Sequence, residues 1–243
     1  MEVAIVTGAS KGLGRALAEG LAARGWSLVI DARGAELLSG VEEDLRSKRA
    51  HGAELVAIAG DISTTAHRSE LVEAARRLGR LDLIVNNAST LGESPLPRLV
   101  DYPLGSLRHV FEVDVLAPLS LVQESIGLLN RATRPRVLNV TSDASIEHYE
   151  RWGGYGLAKA ALDHVSATLA AEDPGLRVWA VDPGDLRTDM HQQAFPGEDI
   201  SDRPLPESVV EHLVALIESD LPSGRYRAGE IAALQGQNVG ATR

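Results

Sequence analysis

An apolar run from Val3 to Val6 enters Thr7-Gly8-Ala9-Ser10-Lys11-Gly12-Leu13-Gly14 and continues into a helical pattern carried by Leu17 and Leu21. A strand that ends in a glycine-rich turn and opens at once into a helix commits the chain to a β-α unit, which needs further strands beside it. Glycines at 8, 12 and 14 leave room where backbone must approach a ligand. The helix start directs free N–H groups and the positive end of its dipole outward, an arrangement suited to a diphosphate. The spacing Thr-Gly-x-x-x-Gly-x-Gly differs from the dinucleotide pattern Gly-x-Gly-x-x-Gly. It also differs from a P-loop, which closes with Gly-Lys-Ser/Thr. An ordinary tight strand-to-helix turn would use the same glycines, so the rest of the chain has to decide.

The rest alternates apolar strands with amphipathic helices. Strands are predicted over residues 3–7, 27–30, 54–59, 83–86, 136–141 and 176–181, with one more short strand at 230–234. That alternation implies an α/β fold: a doubly wound, mostly parallel, Rossmann-like sheet with helices on both faces, because right-handed crossovers place helices over the sheet. A ligand then belongs beyond the carboxyl ends of the strands, at the switch point. With 243 residues, 44% of them hydrophobic, a single domain spanning 1–243 is expected. No run of 18 apolar residues suggests a membrane span, and no leader precedes the first strand, so a cytoplasmic protein is expected. With no cysteine, disulfides and thiol catalysis are excluded; the seven histidines lack metal-ligand spacing, so no metal is expected. The net charge of −10, from 24 Lys and Arg against 34 Asp and Glu, argues against nucleic-acid or anionic-membrane partners.

Tyr155 and Lys159 stand four residues apart in Gly-Gly-Tyr-Gly-Leu-Ala-Lys, which on a helix stacks a phenol beside an ammonium. A nearby cation stabilises the phenolate and draws the phenol's pKa down from about 10, making it a group that gives and takes protons. Alone, such a pair is as readily a half-buried ring and a solvated amine.

Taken in order, these motifs resemble the short-chain dehydrogenase/reductase family over nearly the whole chain. Thr7 to Gly14 match its cofactor turn, Asp61-Ile62 the pair that meets the adenine, and Asn86-Asn87-Ala88 most of its Asn-Asn-Ala-Gly strand end. Ser142 precedes Tyr155 at the spacing of the family's serine. Tyr155-x-x-x-Lys159 matches the active-site signature, and Pro183-Gly184 with Leu186 and Thr188 the stretch beside the nicotinamide. The resemblance implies an oxidoreductase moving a hydride between a nicotinamide dinucleotide and an alcohol/carbonyl substrate. In it Tyr155 is acid or base, Ser142 holds the reacting oxygen, and Lys159 lowers the tyrosine's pKa and bonds the ribose. It assigns Gly8, Ser10, Lys11, Gly12, Leu13, Gly14, Asp61, Ile62, Asn87, Ala88, Pro183, Gly184, Leu186 and Thr188 to the cofactor. The alternatives are a non-catalytic dinucleotide-binding regulator or redox sensor on the same fold, and a structural protein, for which the glycine turn would have no purpose.

Two positions depart from the family pattern. Asp114 stands where an asparagine is usual in the helix after the fourth strand. Ser89 replaces the glycine after Asn-Asn-Ala. The asparagine's main-chain carbonyl helps hold a water behind the lysine, so Asp114 is kept among the catalytic positions, and a buried acid there adds negative charge near Lys159 or is itself protonated. At the end of the second strand the family's discriminating acid falls at Ala32, one residue past Asp31 and before Arg33. Arg33 and Lys11 together favour NADP(H), while NAD(H) stays open if both are only surface charges. The substrate segments are expected at 89–99, 143–154 and 185–204, with Trp152, Tyr149, His148 and Phe195 as aromatic walls and Glu147 or Arg151 as polar contacts. A homodimer or homotetramer is expected through the helices before Arg131 and around 155–171, the second being apolar round much of its circumference.

Overall fold

The computed structural model describes residues 1–234; the part of the expected domain past residue 234 lies outside the described residues. Seven strands, β1 (Val3–Val6), β2 (Ser27–Ala32), β3 (Leu55–Ala59), β4 (Leu83–Asn86), β5 (Arg136–Val140), β6 (Arg177–Asp182) and β7 (Gly224–Arg227), form one sheet in the order β3-β2-β1-β4-β5-β6-β7. Every pairing is parallel. The helices are α1 (Gly12–Ala23), α2 (Ala35–Lys48), α3 (Thr65–Arg77), α4 (Leu104–Phe111), α5 (Ala117–Leu129), α6 (Gly153–Glu172), α7 (Asp189–Ala194) and α8 (Val210–Glu218).

β1, β2 and β4 are buried at every residue, as strands with helices on both faces must be. Alternation decides which side each residue serves. Ala4 and Val6 join the core under α1, α2 and α8 with Leu17, Leu21, Leu45 and Leu213. Val3 and Ile5 join the opposite core under α3 and α5 with Leu71, Leu121 and Leu129. The chain leaves β1 in one direction toward β2 and later returns to its other side with β4, which opens the crevice where the strand order reverses.

Six predicted strands match within two residues; the seventh does not. The 230–234 segment is a 3-10 turn running into a helical one, with Ile231 fully buried in the core beside α8, and the sheet ends instead at Gly224–Arg227. That strand reads Gly-Arg-Tyr-Arg, and charged residues suit a sheet edge but carry no apolar signal. The long helix after β4 is also interrupted. Between α4 and α5, residues Glu112–Leu116 widen into a π-turn with Val113, Asp114 and Val115 buried, a distortion frequent at functional sites. Among the described residues no helix is long and apolar enough to cross a membrane.

Candidate active site

A cleft of about 1020 Å³ lies beyond the carboxyl ends of the strands, with the glycine turn at one end and Tyr155 and Lys159 at the other. The turn is braced from both neighbouring strands. Asn87 Nδ2 donates to the carbonyls of Thr7 (2.9 Å) and Gly8 (3.2 Å), and Thr7 Oγ1 accepts from the N–H groups of Asn87 and Ala88, each at 3.0 Å. From β2, Asp31 Oδ1 accepts from the N–H of Gly8 at 2.7 Å. The closeness demands glycine: a Cβ on Gly8, whose φ is +68°, would lie 2.8 Å from Ala88 Cα, and one on Gly14 would lie 2.4 Å from both Asn87 Nδ2 and the carbonyl of Gly8. No side chain caps α1 and its first turn holds no acid, so no side chain of the helix competes for its first N–H groups. This cradle fits the diphosphate of a dinucleotide.

At the β2 side, Asp31 is turned inward and buried, its Oδ2 2.9 Å from His67 Nε2. It lines the cleft, but one oxygen braces the turn and the other lies against His67. Ala32 is buried, and Arg33 is exposed at the cleft with no ion-pair partner among the described residues. Lys11 lies beside it but is bonded to Asp189 at 2.6 Å, tying the start of α1 to α7. Partial burial of Asp61 pushes its pKa up, but its bonds from Ser63 and the Arg33 charge outweigh that and hold it below the usual carboxylate range.

At the other end, Ser142 follows β5. Its Oγ accepts from the N–H of Ala144 (3.1 Å) and donates to Asp143 Oδ1 (3.0 Å). Arg225 on the edge strand donates to the Ser142 carbonyl at 2.9 Å and to Asp163 at 3.0 Å, fixing the backbone that carries the serine. One turn of α6 separates Tyr155 from Lys159, whose Nζ donates to the Val140 carbonyl at 3.0 Å and lies 5.4 Å from the Tyr155 ring centre. Asp114 reaches in from the π-turn, fully buried, its Oδ2 3.8 Å from Lys159 Nζ. It accepts from Ser89 Oγ and from the N–H of Thr90, each at 2.9 Å. Burial pushes the Asp114 carboxyl up, opposed first by Lys159 and then by these two bonds.

The chain matches the short chain dehydrogenase family model over residues 2–199. It is 32% identical over 202 residues to sepiapterin reductase of Rattus norvegicus, covering 79% of this chain and 77% of the relative. It is 32% identical over 193 residues to the (S)-acetoin-forming diacetyl reductase of Staphylococcus epidermidis, covering 78% and 73%. An alcohol dehydrogenase from the archaeon Thermococcus sibiricus, solved with 5-hydroxy-NADP, superposes with a TM-score of 0.83 at 27% identity over 93% of this chain and 95% of that one. A Shigella flexneri short chain dehydrogenase complexed with NADP superposes at 0.85, with 25% identity over 94% and 97%. The chain belongs to the short-chain dehydrogenase family.

As a member of that family it is an NAD(P)-dependent oxidoreductase. In this dehydrogenase Ser142, Tyr155 and Lys159 line one end of the cleft. Gly8, Ser10, Lys11, Gly12, Leu13, Arg33, Asp61, Ile62, Asn87, Ala88, Pro183, Gly184, Leu186 and Thr188 line the remainder. Gly14 lies behind the turn, packed on Asn87, and Asp114 behind Lys159. One expectation is overturned in this structure: Tyr155 is less acidic than a free phenol. Burial raises its pKa most and the Asp114 charge raises it further, while the hydroxyls of Ser142 and Ser89 pull the other way. Lys159 Nζ donates one hydrogen bond to the Val140 carbonyl and has the Asp114 carboxylate 3.8 Å away, so its charge is shared between carboxylate and phenol.

Of the expected substrate walls, Trp152, Tyr149 and Phe195 line the cleft. Trp152 packs 5.8 Å from Tyr155 and 5.9 Å from Phe195 between ring centres. Glu147, His148 and Arg151 are exposed and lie outside the cleft lining, while the Tyr149 hydroxyl donates to Asp143 at 2.8 Å. Asp143 and His191 line the cleft from within the expected substrate segments without having been singled out, and Arg225 lies outside all of them. Adjacency to Ser142 was an available signal for the first; nothing in an edge strand's charges marked the last.

Proposed function

We propose that this dehydrogenase transfers a hydride between NADP(H) and an alcohol/carbonyl pair, with Tyr155 as the acid in reduction and the base in oxidation. The observation that carries the reading is one cleft that joins a diphosphate-fitting glycine turn to Ser142, Tyr155 and Lys159. The bound nicotinamide supplies or accepts the hydride. As negative charge grows on a carbonyl oxygen, that oxygen needs a hydrogen bond in place and then a proton. Ser142 offers the first when its hydroxyl leaves Asp143 for the substrate. Tyr155 offers the second, and burial keeps its proton available at neutral pH. Lys159, held by the Val140 carbonyl, sets a positive charge near the ring that stabilises the tyrosinate left by proton loss.

Arg33, exposed beside neutral Ala32, fits the 2′-phosphate of NADP(H); Lys11 is occupied by Asp189 and contributes less. The NADP complexes of the two superposed dehydrogenases support the same choice. The aromatic wall of Trp152 and Phe195 beside Tyr155 suits a flat or apolar group next to the reacting carbonyl, and the reductase names of the relatives support the reducing direction. Exposed Leu104, Leu116 and Leu157 on α4, the π-turn and α6 support pairing of two copies through these helices. Turnover of a panel of ketones, diketones and aromatic carbonyls with NADPH and NADH tests the reading. Absence of any NADPH-dependent reduction, despite cofactor binding, would reject it.

A further inference from the structure

Ser89 and Asp114 stand 25 positions apart in sequence, and the fold brings both departures from the family pattern into one contact: Ser89 Oγ donates to Asp114 Oδ2 at 2.9 Å. Asp114 Oδ1 is held by the Thr90 N–H at 2.9 Å, so the Oδ2 atom is the one turned toward both Ser89 and, at 3.8 Å, Lys159 Nζ. The carboxylate and the ammonium are fully or almost fully buried, where charges interact strongly. Ser89 lines the same cleft as Tyr155, and its one hydroxyl proton is given to Asp114. A glycine at 89 would remove the hydroxyl that donates to Asp114 Oδ2, and an asparagine at 114 would leave Lys159 without a negative partner among the described residues.

We propose that Ser89 and Asp114 are a matched pair of positioning residues: Ser89 anchors the carboxylate, and the carboxylate takes up part of the charge of Lys159, so that Tyr155 remains the acid of the site. The inference rests on the reading of Tyr155 as the proton-transfer group. The lysine's charge is divided between tyrosine and carboxylate, so less of it is available to stabilise a tyrosinate. A protonated Tyr155 is what carbonyl reduction requires: reduction runs below the tyrosine's pKa and fails as pH rises through it, while alcohol oxidation begins there. Other charges face the pair. Lys159 from α6 and His109 from α4 act on Asp114, whose charge is also felt by Tyr102. Asp182 from β6 acts on Tyr155 alongside Asp114.

The test uses the whole protein with NADP and no substrate. Its four tyrosines are ring-labelled and titrated by NMR, with Tyr155→Phe identifying the signal. Asp114→Asn is expected to move the Tyr155 titration down by about one pH unit or more, as removal of a neighbouring like charge should. The alkaline limb of kcat/KM for reduction should fall by the same amount. Ser89→Ala should change the titration in the native background and change it much less in the Asp114→Asn background, because Ser89 acts through the carboxylate it bonds. An unmoved or raised titration in Asp114→Asn, or strictly additive effects, would overturn the proposal. Should Asp114→Asn not fold, the double variant Ser89→Gly with Asp114→Asn takes its place and must titrate below the native protein. The titration needs no turnover, so a protein that reduces no carbonyl yet titrates as expected refutes the proposed function and leaves this inference standing.

Discussion

Replacing Arg33 with alanine separates the two nicotinamide dinucleotides by one phosphate. The guanidinium is exposed at the cleft, has no ion-pair partner among the described residues, and follows a neutral, buried Ala32. A hydrogen bond to a charged group contributes about 1.5–3 kcal/mol, and solvent at the rim screens this one toward the lower end. The expected loss of NADPH affinity is therefore about 1.5–2 kcal/mol, or roughly ten- to thirtyfold in Kd. NADH, lacking the phosphate, should lose little. Lys11→Ala provides the internal contrast. Its ammonium is paired with Asp189 in an exposed salt bridge, with side chains 56% and 66% accessible, and such pairs are worth about 0–1 kcal/mol, so NADPH affinity should change much less. Calorimetric titration of both cofactors against all three proteins, repeated at high salt, reads the result. Equal losses for NADPH and NADH in Arg33→Ala, or no loss at all, would refute the assignment of this arginine to the phosphate.

Tyr155→Phe should retain cofactor affinity and lose turnover by about a hundred- to ten-thousandfold, the contribution of a positioned acid; native kcat on a validated carbonyl would remove Tyr155 from that role. Asp31→Ala leaves the Gly8 N–H without its acceptor and His67 without its partner. It should lower stability by about 1–3 kcal/mol in chemical denaturation and weaken NADPH and NADH alike, whereas a loss confined to NADH would return Asp31 to the ribose. In sedimentation equilibrium the protein should exceed its 25.9 kDa chain mass and Leu157→Glu should dissociate it; a sole species at chain mass would reject pairing through α6.

What the sequence disclosed was whatever rides on spacing. Buried parallel strands read as unbroken apolar runs, and the glycine turn and Tyr155-x-x-x-Lys159 keep their meaning at fixed separations. What it withheld depends on contacts between distant segments. Ser89 and Asp114 looked like two separate irregularities, and only their 2.9 Å contact makes them one. A buried acid near Lys159 was legible at Asp114, but the burial of the Tyr155 hydroxyl, which does most to raise its pKa, depends on segments the spacing does not show. Lys11 counted as a free cation until α7 set Asp189 against it. The edge strand Gly224–Arg227 escaped notice because its side chains are charged, and Ile231 lent a buried helical turn the apolar look of a strand.

The bracing of the glycine turn also has a temporal side. Its supports are Asp31 at the end of β2 and Asn87 just past β4, although the turn itself belongs to the first strand made. During synthesis β1 therefore emerges long before the second of its neighbours, and the cofactor seat cannot assume its final shape until residue 87 has left the ribosome and paired. Contacts so far apart in sequence are slow to form, and until then β1 exposes an apolar edge of the kind that chaperones cover. A nascent chain arrested after β3 should be unable to hold the dinucleotide, although it already contains the entire glycine motif.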